Sequence, residues 1–393
     1  MKNKTSFLTD IKQNLPSGLV VFLVALPLCL GIALASGAPP LSGIIAGIIG
    51  GLVIGFLSNS HISVSGPAAG LAAIVLVGIS DLGSFELFLV AGIIAGIIQL
   101  ILGFVRAGSI SNYFPNNVIE GMLAGIGVII ILKQIPHAVG YDKDFEGNQR
   151  IFDGFNLTEY VTNLSNAISP GAIVITLVSL GILLTWEKIP ALKKIKMLPG
   201  ALVAVAVGIL LNEVFKGSSL EIAKEHLVTL PVPESAEDFK NLITFPDFTG
   251  FMNPKVWILG ATIAIVASIE TLLCIEASDR MDAHKRITDT NLELKAQGIG
   301  NLISAMIGGL PMTSVVVRSS ANANAGATSK TSAIIHGVFM LICVLTIPFL
   351  LNKIPLATLA AVLLLVGYKL ASPSKLKHFW AKGKYQFLPF IAT

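Results

Sequence analysis

Long apolar segments separated by short polar loops make up most of this chain. Apolar runs such as residues 18–35 and 198–211 are continuous, without the strict alternation of barrel strands, so the pattern favours helices. From Gln13 to Ser80 there is no Asp, Glu, Lys or Arg. A soluble domain containing such a stretch would have nothing there to face water. The pattern therefore predicts an all-α polytopic membrane protein embedded in a lipid bilayer.

Twelve membrane spans and the start of a thirteenth follow from the apolar runs. The twelve are expected near residues 15–36, 40–57, 67–80, 84–105, 117–135, 169–186, 198–214, 254–276, 293–309, 318–328, 331–350 and 354–371. The thirteenth begins near Tyr385, and the sequence given stops inside it at Thr393.

Composition agrees with this prediction and excludes several classes of protein. Hydrophobic residues make up 53% of the 393 positions and charged residues only 13%, against about 25% charged residues in soluble domains. A soluble enzyme, a disordered chain and a nucleic-acid-binding protein are excluded. The 37 glycines suit close helix packing in lipid.

Motifs of enzymes, disulfide frameworks and metal sites are absent from the sequence. The three cysteines all lie in apolar runs, without a CxxC or Cys/His pattern. There is no HExxH, GxSxG or GxxxxGK[ST] motif, and nothing supports a Ser/His intramembrane protease. We therefore expect no enzyme activity, no cofactor and no metal site.

The charges of the loops predict an orientation. Loop 136–168 carries five acidic and two basic residues, and loop 216–253 carries six acidic residues against three lysines. Loop 187–196 carries four lysines and one acidic residue, and loop 369–384 carries five lysines and no acidic residue. By the positive-inside rule, the lysine-rich loops and the N-terminus are expected on the cytoplasmic side. The expected location is the cell inner membrane.

Two apolar segments are too short to cross a bilayer, which takes about 20 helical residues. The first follows HISVSGPAAGLAAIV at 61–75, where Ser65 is the expected N-cap and Pro67 lies in the first turn. The second follows GGLPMTSVVVRSSANANAG at 308–326. Non-helical backbone at membrane depth must be buried in protein or line a cavity.

Short elements in matching halves of a chain indicate an inverted-repeat transporter site. Half-helix N-termini that face each other would attract an anion through their free N–H groups and dipoles. Re-entrant packing elements without a ligand are the alternative.

Two charged residues lie within apolar spans. Arg318 begins the second half-helix, and an arginine at this depth costs about 2.5–3.5 kcal/mol or more. A bound anion would compensate it, and a structural salt bridge to Glu270 is the alternative. Glu270 could carry a proton or ligate a cation, and Cys274, four residues later, shares its helix face. The alternative role of Glu270 is to balance the charge of Arg318.

Three motifs of this chain resemble the SulP family, the sulfate-permease group of inorganic anion transporters. They are NLELKAQGIGN at 291–301, GGLPMT at 308–313 continuing to RSSANANAGA at 318–327, and SVSGPAA at 63–69. The resemblance implies seven-plus-seven inverted repeats, with half-helices in spans 3 and 10, and an elevator mechanism. It further implies that the anion binds between these two half-helices. Ala68 and Ala69 would offer backbone N–H groups to it on one side, and Val317 and Arg318 would form the opposing face of the site.

The site expected from this reasoning has a substrate part and a coupling-ion part. Glu270 matches the family's acidic position in span 8, where a coupling H⁺ or Na⁺ is expected. Cys274 and Val317 depart from the family pattern, because several relatives have a hydroxyl residue at these positions. The substrate-binding candidates are Ser65, Gly66, Pro67, Ala68, Ala69, Val317, Arg318 and Ser319, and the coupling-ion candidates are Glu270 and Cys274.

The expected organisation is an N-terminal segment and two repeats. Residues 1–14 are a cytoplasmic segment, 15–214 the first repeat, 215–253 an extracytoplasmic loop, and 254–393 an incomplete second repeat. The family's STAS domain is missing from this sequence, which is expected to be part of a longer protein. A homodimer is compatible with these features.

The expected function is secondary active transport of sulfate or bicarbonate, coupled to H⁺ or Na⁺. A nucleobase permease of the same fold group is one alternative, although a basic residue at the second half-helix argues against it. An anion-sensing membrane protein without transport activity is the other.

Overall fold

Helices account for most of the residues that the computed structural model describes, which are 7–109, 116–141, 168–189, 199–230 and 243–392. The first half contains α1 (Phe7–Ala35), α2 (Pro40–Leu57), α3 (Ala69–Leu82), α4 (Phe85–Phe104), α5 (Asn116–Val139), α6 (Pro170–Lys188) and α7 (Gly200–Phe215). The second half contains α8 (Pro254–Met281), α9 (Thr290–Met306), α10 (Val316–Asn324), α11 (Thr331–Thr346), α12 (Pro348–Leu351), α13 (Leu356–Leu370), α14 (Pro373–Ala381) and α15 (Lys384–Ala392).

Each of the twelve expected spans overlaps a helix of the structure. Within the described residues, four helices are long and apolar enough to cross a membrane: Leu8–Ala35, Pro40–Leu57, Phe85–Phe104 and Pro254–Met281. The two elements expected to be too short are helices of 14 and 9 residues, α3 and α10. Their shortness is therefore confirmed.

Several predicted boundaries are wrong. Helix α1 begins at Phe7 rather than at 15, and it contains both Pro16 and Pro27. The span expected at 331–350 breaks at Ile347, because Pro348 cannot donate a backbone hydrogen bond and starts the separate helix α12. Helix α14, which precedes the thirteenth span, was not expected from the sequence.

A two-stranded antiparallel ladder joins the segments before the two short helices. Strand β1 (Ser65–Pro67) pairs with β2 (Met312–Ser314), with Ser65 opposite Ser314 and Pro67 opposite Met312. The prediction that Ser65 caps the first half-helix is wrong, because Ser65 lies in β1 and α3 begins only at Ala69. Pairing with β2 keeps residues 65–67 extended, and it satisfies backbone groups that a half-helix start would have left open.

Glycines allow the helices around the ladder to approach closely. Residues 50–54 of α2 form a π-helical turn, in which Gly51 packs against Gly337 of α11. A Cβ on Gly51 would lie 2.6 Å from the Gly337 Cα and 2.9 Å from the Ala333 carbonyl oxygen. Both of these atoms belong to backbone, so neither can move aside easily.

We expect Gly51→Ala to destabilise the fold by about 1–3 kcal/mol, because the added methyl group overpacks a backbone contact. Thermal unfolding of the detergent-purified protein measures the effect. Gly181→Ala in α6 is the matched control, since a Cβ there meets nothing within 4 Å among the described residues. Equal melting temperatures for the two variants would contradict the close packing of α2 on α11.

Candidate functional site

The N-termini of α3 and α10 start directly from the ladder. The residues that precede them, Ala68 (φ −109°, ψ 136°) and Val315 (φ −121°, ψ 116°), are extended, and neither helix start has a side-chain cap within the described residues. The leading N–H groups of a helix have no partner inside the helix, and the helix dipole is positive there. Both starts therefore favour negative charge nearby.

Hydrogen bonds at the end of the ladder where Ser65 faces Ser314 hold the two chain segments together. The Val315 N–H donates to the Val64 carbonyl at 3.0 Å, and the Val64 N–H donates to Ser319 Oγ at 3.1 Å. The Ser63 and Ser314 hydroxyls lie 2.5 Å apart. Because the strands are antiparallel, α3 and α10 leave the ladder from opposite ends. Their starts are thus fixed relative to each other by backbone contacts.

A buried polar stripe on α9 supports both strands. Gln297 Nε2 donates to Ser65 Oγ at 2.6 Å and to Glu293 Oε1 at 2.9 Å, which links α9 to β1. Asn301 accepts from the Met312 N–H at 2.6 Å and donates to the Met312 carbonyl at 3.1 Å, which links α9 to β2. The ladder is consequently fixed to a neighbouring helix through side chains.

Sequence reasoning assigned no role to this stripe, although a signal for it exists. Residues 293, 297, 301 and 304 are polar and recur at intervals of four, four and three, so they share one face of α9. All four are fully or almost fully buried. A polar stripe inside an apolar helix indicates a buried network, and its partners are the non-helical segments.

A cavity of about 1120 Å³ opens beside the two helix starts. Five candidate residues line it: Ala69, Val317, Arg318, Glu270 and Cys274. The other candidates lie behind its wall, because they form or flank the ladder. These are Ser65, Gly66 and Pro67 in β1, Ala68 after it, and Ser319, whose hydroxyl binds Val64. The structure thus separates the candidates into a lining set and a supporting set.

Arg318 is fully buried at the inner end of the cavity. Its Nη2 donates to the Pro67 carbonyl and to Cys29 Sγ, both at 3.3 Å. Its Nε and Nη1 have no hydrogen-bond partner among the described residues. Gly66 provides the space, since a Cβ there would overlap Nη1. The guanidinium thus has spare hydrogen-bond donors and only neutral acceptors.

Glu270 lies on α8, against the first turn of α3. A Cβ on Gly70 would come within 2.7 Å of both carboxylate oxygens, so this glycine makes room for the acid. Its Oε2 is buried without a partner in the part of the chain that the structure describes. The alternative of a salt bridge with Arg318 is not realised, because Arg318 bonds only to Pro67 and Cys29 there. A carboxylate at a helix N-terminus is favoured by the dipole.

Helix α8 carries residues for the site and for the ladder. Cys274 follows Glu270 by one turn and lines the same cavity. Thr271 Oγ1 accepts from the Ser314 N–H at 3.3 Å, which ties α8 to β2. A shift of α8 would therefore move the coupling-ion candidates and the ladder together.

The acidic residues near the end of α8 have structural partners. Asp282 caps the helix and binds Arg286 Nε at 2.6 Å, and these hydrogen bonds hold the pKa of the Asp282 carboxyl well below its ordinary value. Asp279 accepts from the Thr288 N–H at 2.8 Å. Both carboxylates therefore order the loop that leads to α9.

Comparison with known proteins identifies one family over almost the whole chain. The profile of the Sulfate permease family matches residues 11–393. YvdB of Bacillus subtilis (strain 168) is 30% identical over 371 residues, which are 93% of this chain and 65% of that protein. The bicarbonate transporter BicA of Picosynechococcus sp. is 25% identical over 388 residues, which are 95% of this chain and 64% of that protein. The chain thus spans about two thirds of the length of these relatives.

Solved structures show the same fold. The transmembrane domain of a cyanobacterium bicarbonate transporter BicA superposes with a TM-score of 0.81 at 23% identity, covering 99% of this chain and 95% of that one. The overall structure of SLC26A9 gives a TM-score of 0.78 at 17% identity, covering 99% of this chain and 62% of the other. The architecture is therefore that of an all-helical membrane transporter.

We expect Gly66→Ala to displace the Arg318 guanidinium while leaving the fold intact. The new methyl group meets the end of a flexible side chain rather than backbone. Binding of a small oxyanion such as sulfate to the purified protein, measured by calorimetry, should weaken at least about tenfold, since a charge-assisted hydrogen bond contributes about 1.5–3 kcal/mol. Gly181→Ala is again the control. Unchanged affinity in Gly66→Ala would mean that the guanidinium position does not matter.

Proposed function

The chain belongs to the sulfate permease family, and from that membership we propose that it carries a small inorganic anion across the membrane by secondary active transport. Sulfate and bicarbonate are the candidate substrates. The bicarbonate transporter BicA is among its relatives by sequence. The proposal includes an inner-membrane location and a cytoplasmic N-terminus, because loops 187–196 and 369–384, which are rich in lysine, then share the cytoplasmic side.

The observation that carries this proposal is the surroundings of Arg318. A full positive charge lies buried beside the positive ends of two helices, with only a carbonyl and a thiol as partners among the described residues. Burial of an uncompensated charge costs several kcal/mol. An anion in the cavity removes that cost, because it adds the missing negative charge and accepts from the open donors.

The shape of the site favours a small, compact anion. The helix starts provide N–H groups in fixed directions, and Val316 and Val317 provide an apolar wall. Such a site recognises negative charge and size rather than an extended chemical structure. Sulfate and bicarbonate both meet these requirements.

Transport then requires that the site face each side of the membrane in turn. The ladder ties α3 to α10, and the polar stripe of α9 ties the ladder to a further helix. We propose that these elements move as one body in an elevator-type cycle. Residues 15–214 and 254–393 form the two inverted repeats in this proposal, and it is supported by the matching order of strand and short helix in each.

Glu270 is the proposed coupling residue. Its carboxylate lines the cavity and lies against α3, so a proton or Na⁺ bound there would neutralise a charge next to the anion. Cys274 lies one turn away and adds a soft sulfur atom rather than a hydroxyl oxygen. That ligand set favours a proton over a sodium ion.

We expect Arg318→Ala to abolish saturable anion uptake while the protein remains folded in the membrane. Uptake of labelled sulfate and bicarbonate into proteoliposomes, with and without sodium and at two pH values, tests this and identifies the substrate. Arg318→Lys keeps the charge but loses the planar fork, so intermediate activity is expected. Wild-type uptake in Arg318→Ala would refute the role of this residue.

We expect Glu270→Gln to remove the dependence of uptake on the pH or sodium gradient, because the amide cannot titrate and has no charge. Initial uptake rates under imposed gradients measure the effect. Glu276→Gln on the same helix is the matched control, since Glu276 is exposed and paired with Arg280 at 2.5 Å. If Glu270→Gln responds to the gradient as the wild type does, Glu270 is outside the coupling path.

A further inference from the structure

The cavity beside the half-helices extends to a wall formed by α14. Ser374, His378 and Phe379 of α14 line it, together with Lys382, which directly follows the helix. Arg318 at the inner end is fully buried, whereas Lys382 is exposed. An anion that enters this cavity would therefore meet Lys382 before it reaches Arg318.

Lys382 is the cation of this wall that no carboxylate neutralises among the described residues. Residues 354–392 contain no Asp or Glu at all. Arg280, a cation that lines the cavity from α8, is paired with Glu276 at 2.5 Å. Glu120, which also lines the cavity, has an interaction partner of its own. The charge of Lys382 is thus available to a mobile anion.

The position of the ammonium group is restrained by an aromatic platform. Lys382 Nζ lies 5.8 Å from the centre of the Phe379 ring. That ring is 7% exposed and stacks on Phe390 at 4.8 Å between centroids. A cation over an aromatic face keeps its charge while losing some of its freedom. The stacked rings therefore hold the charge at the cavity wall.

We propose that Lys382 is an electrostatic collecting residue that raises the local concentration of the substrate anion at the mouth of the cavity. This inference rests on the proposed transport function. A positive potential at a cleft raises the occupancy and association rate of anions, and salt screens the effect. The interaction energy scales with the charge of the anion, so a divalent anion gains twice as much as a monovalent one.

The test compares Lys382→Met, which keeps the apolar stem, with Lys382→Arg, which keeps the charge. Lys377→Met is the matched control, because Lys377 lies on the same helix and is exposed but does not line the cavity. KM and maximal rate are measured in proteoliposomes for bicarbonate and sulfate at low and high ionic strength. Sulfate binding to each purified variant is measured in parallel.

We expect Lys382→Met to raise the KM for bicarbonate about two- to fivefold at low ionic strength, with little change in maximal rate. For sulfate the factor should be about the square of that for bicarbonate. The difference from wild type should shrink at high salt, and Lys382→Arg and Lys377→Met should behave like wild type.

Three results would overturn the inference. They are an unchanged KM and sulfate affinity in Lys382→Met, an effect of equal size at high salt, and an equal effect of Lys377→Met, which would indicate a general surface or lipid interaction. If the wild type binds sulfate without transporting either anion, the transport proposal fails, and the binding data alone decide the role of Lys382. If the wild type neither binds nor transports an anion, both proposals are wrong.

Discussion

The β1–β2 ladder is the interaction on which the rest of the structure depends. Two chain segments run extended through the helical core, where unpaired backbone groups would each cost several kcal/mol in the absence of water. The strands satisfy part of this requirement by pairing with each other. Asn301 of α9 and Thr271 of α8 satisfy more of it by binding backbone groups of β2, and Gln297 of α9 holds β1 through the Ser65 hydroxyl. Only with the strands fixed in this way can two helices begin inside the protein with free N–H groups.

Close approach around the ladder explains the glycines of the first half. Gly66 lies under the Arg318 guanidinium, Gly70 lies under the Glu270 carboxylate, and Gly51 packs on the backbone of α11. A side chain at any of these positions would occupy space that a charged group or a backbone now fills. These glycines therefore determine where the charges lie, as well as how closely the helices pack.

The sequence predicts the architecture well because the bilayer imposes strong constraints. Each of the twelve apolar runs overlaps a helix, and the two short runs identified α3 and α10. Ser65 was misplaced because local capping preferences favour a helix start there, whereas pairing with β2 is a contact between residues about 250 positions apart. The role of the stripe of α9 could not be predicted from the sequence, because Gln297 and Asn301 bind residues of β1 and β2, which are distant from or outside α9. Which candidates line the cavity likewise depends on three-dimensional packing.

The two buried charges are held apart, and this separation limits how they can communicate. Arg318 belongs to α10 but rests on Gly66 and Pro67 of β1, whereas Glu270 belongs to α8 but rests on Gly70 of α3. Both charges come from the second half of the chain, and both are accommodated by the stretch between Gln13 and Ser80 that has none of its own. The two charges do not pair with each other, and each rests on its own part of one continuous segment: Arg318 on β1 and Glu270 on the first turn of α3. The charge-free segment therefore positions both buried charges, through glycines that are only four residues apart in the sequence.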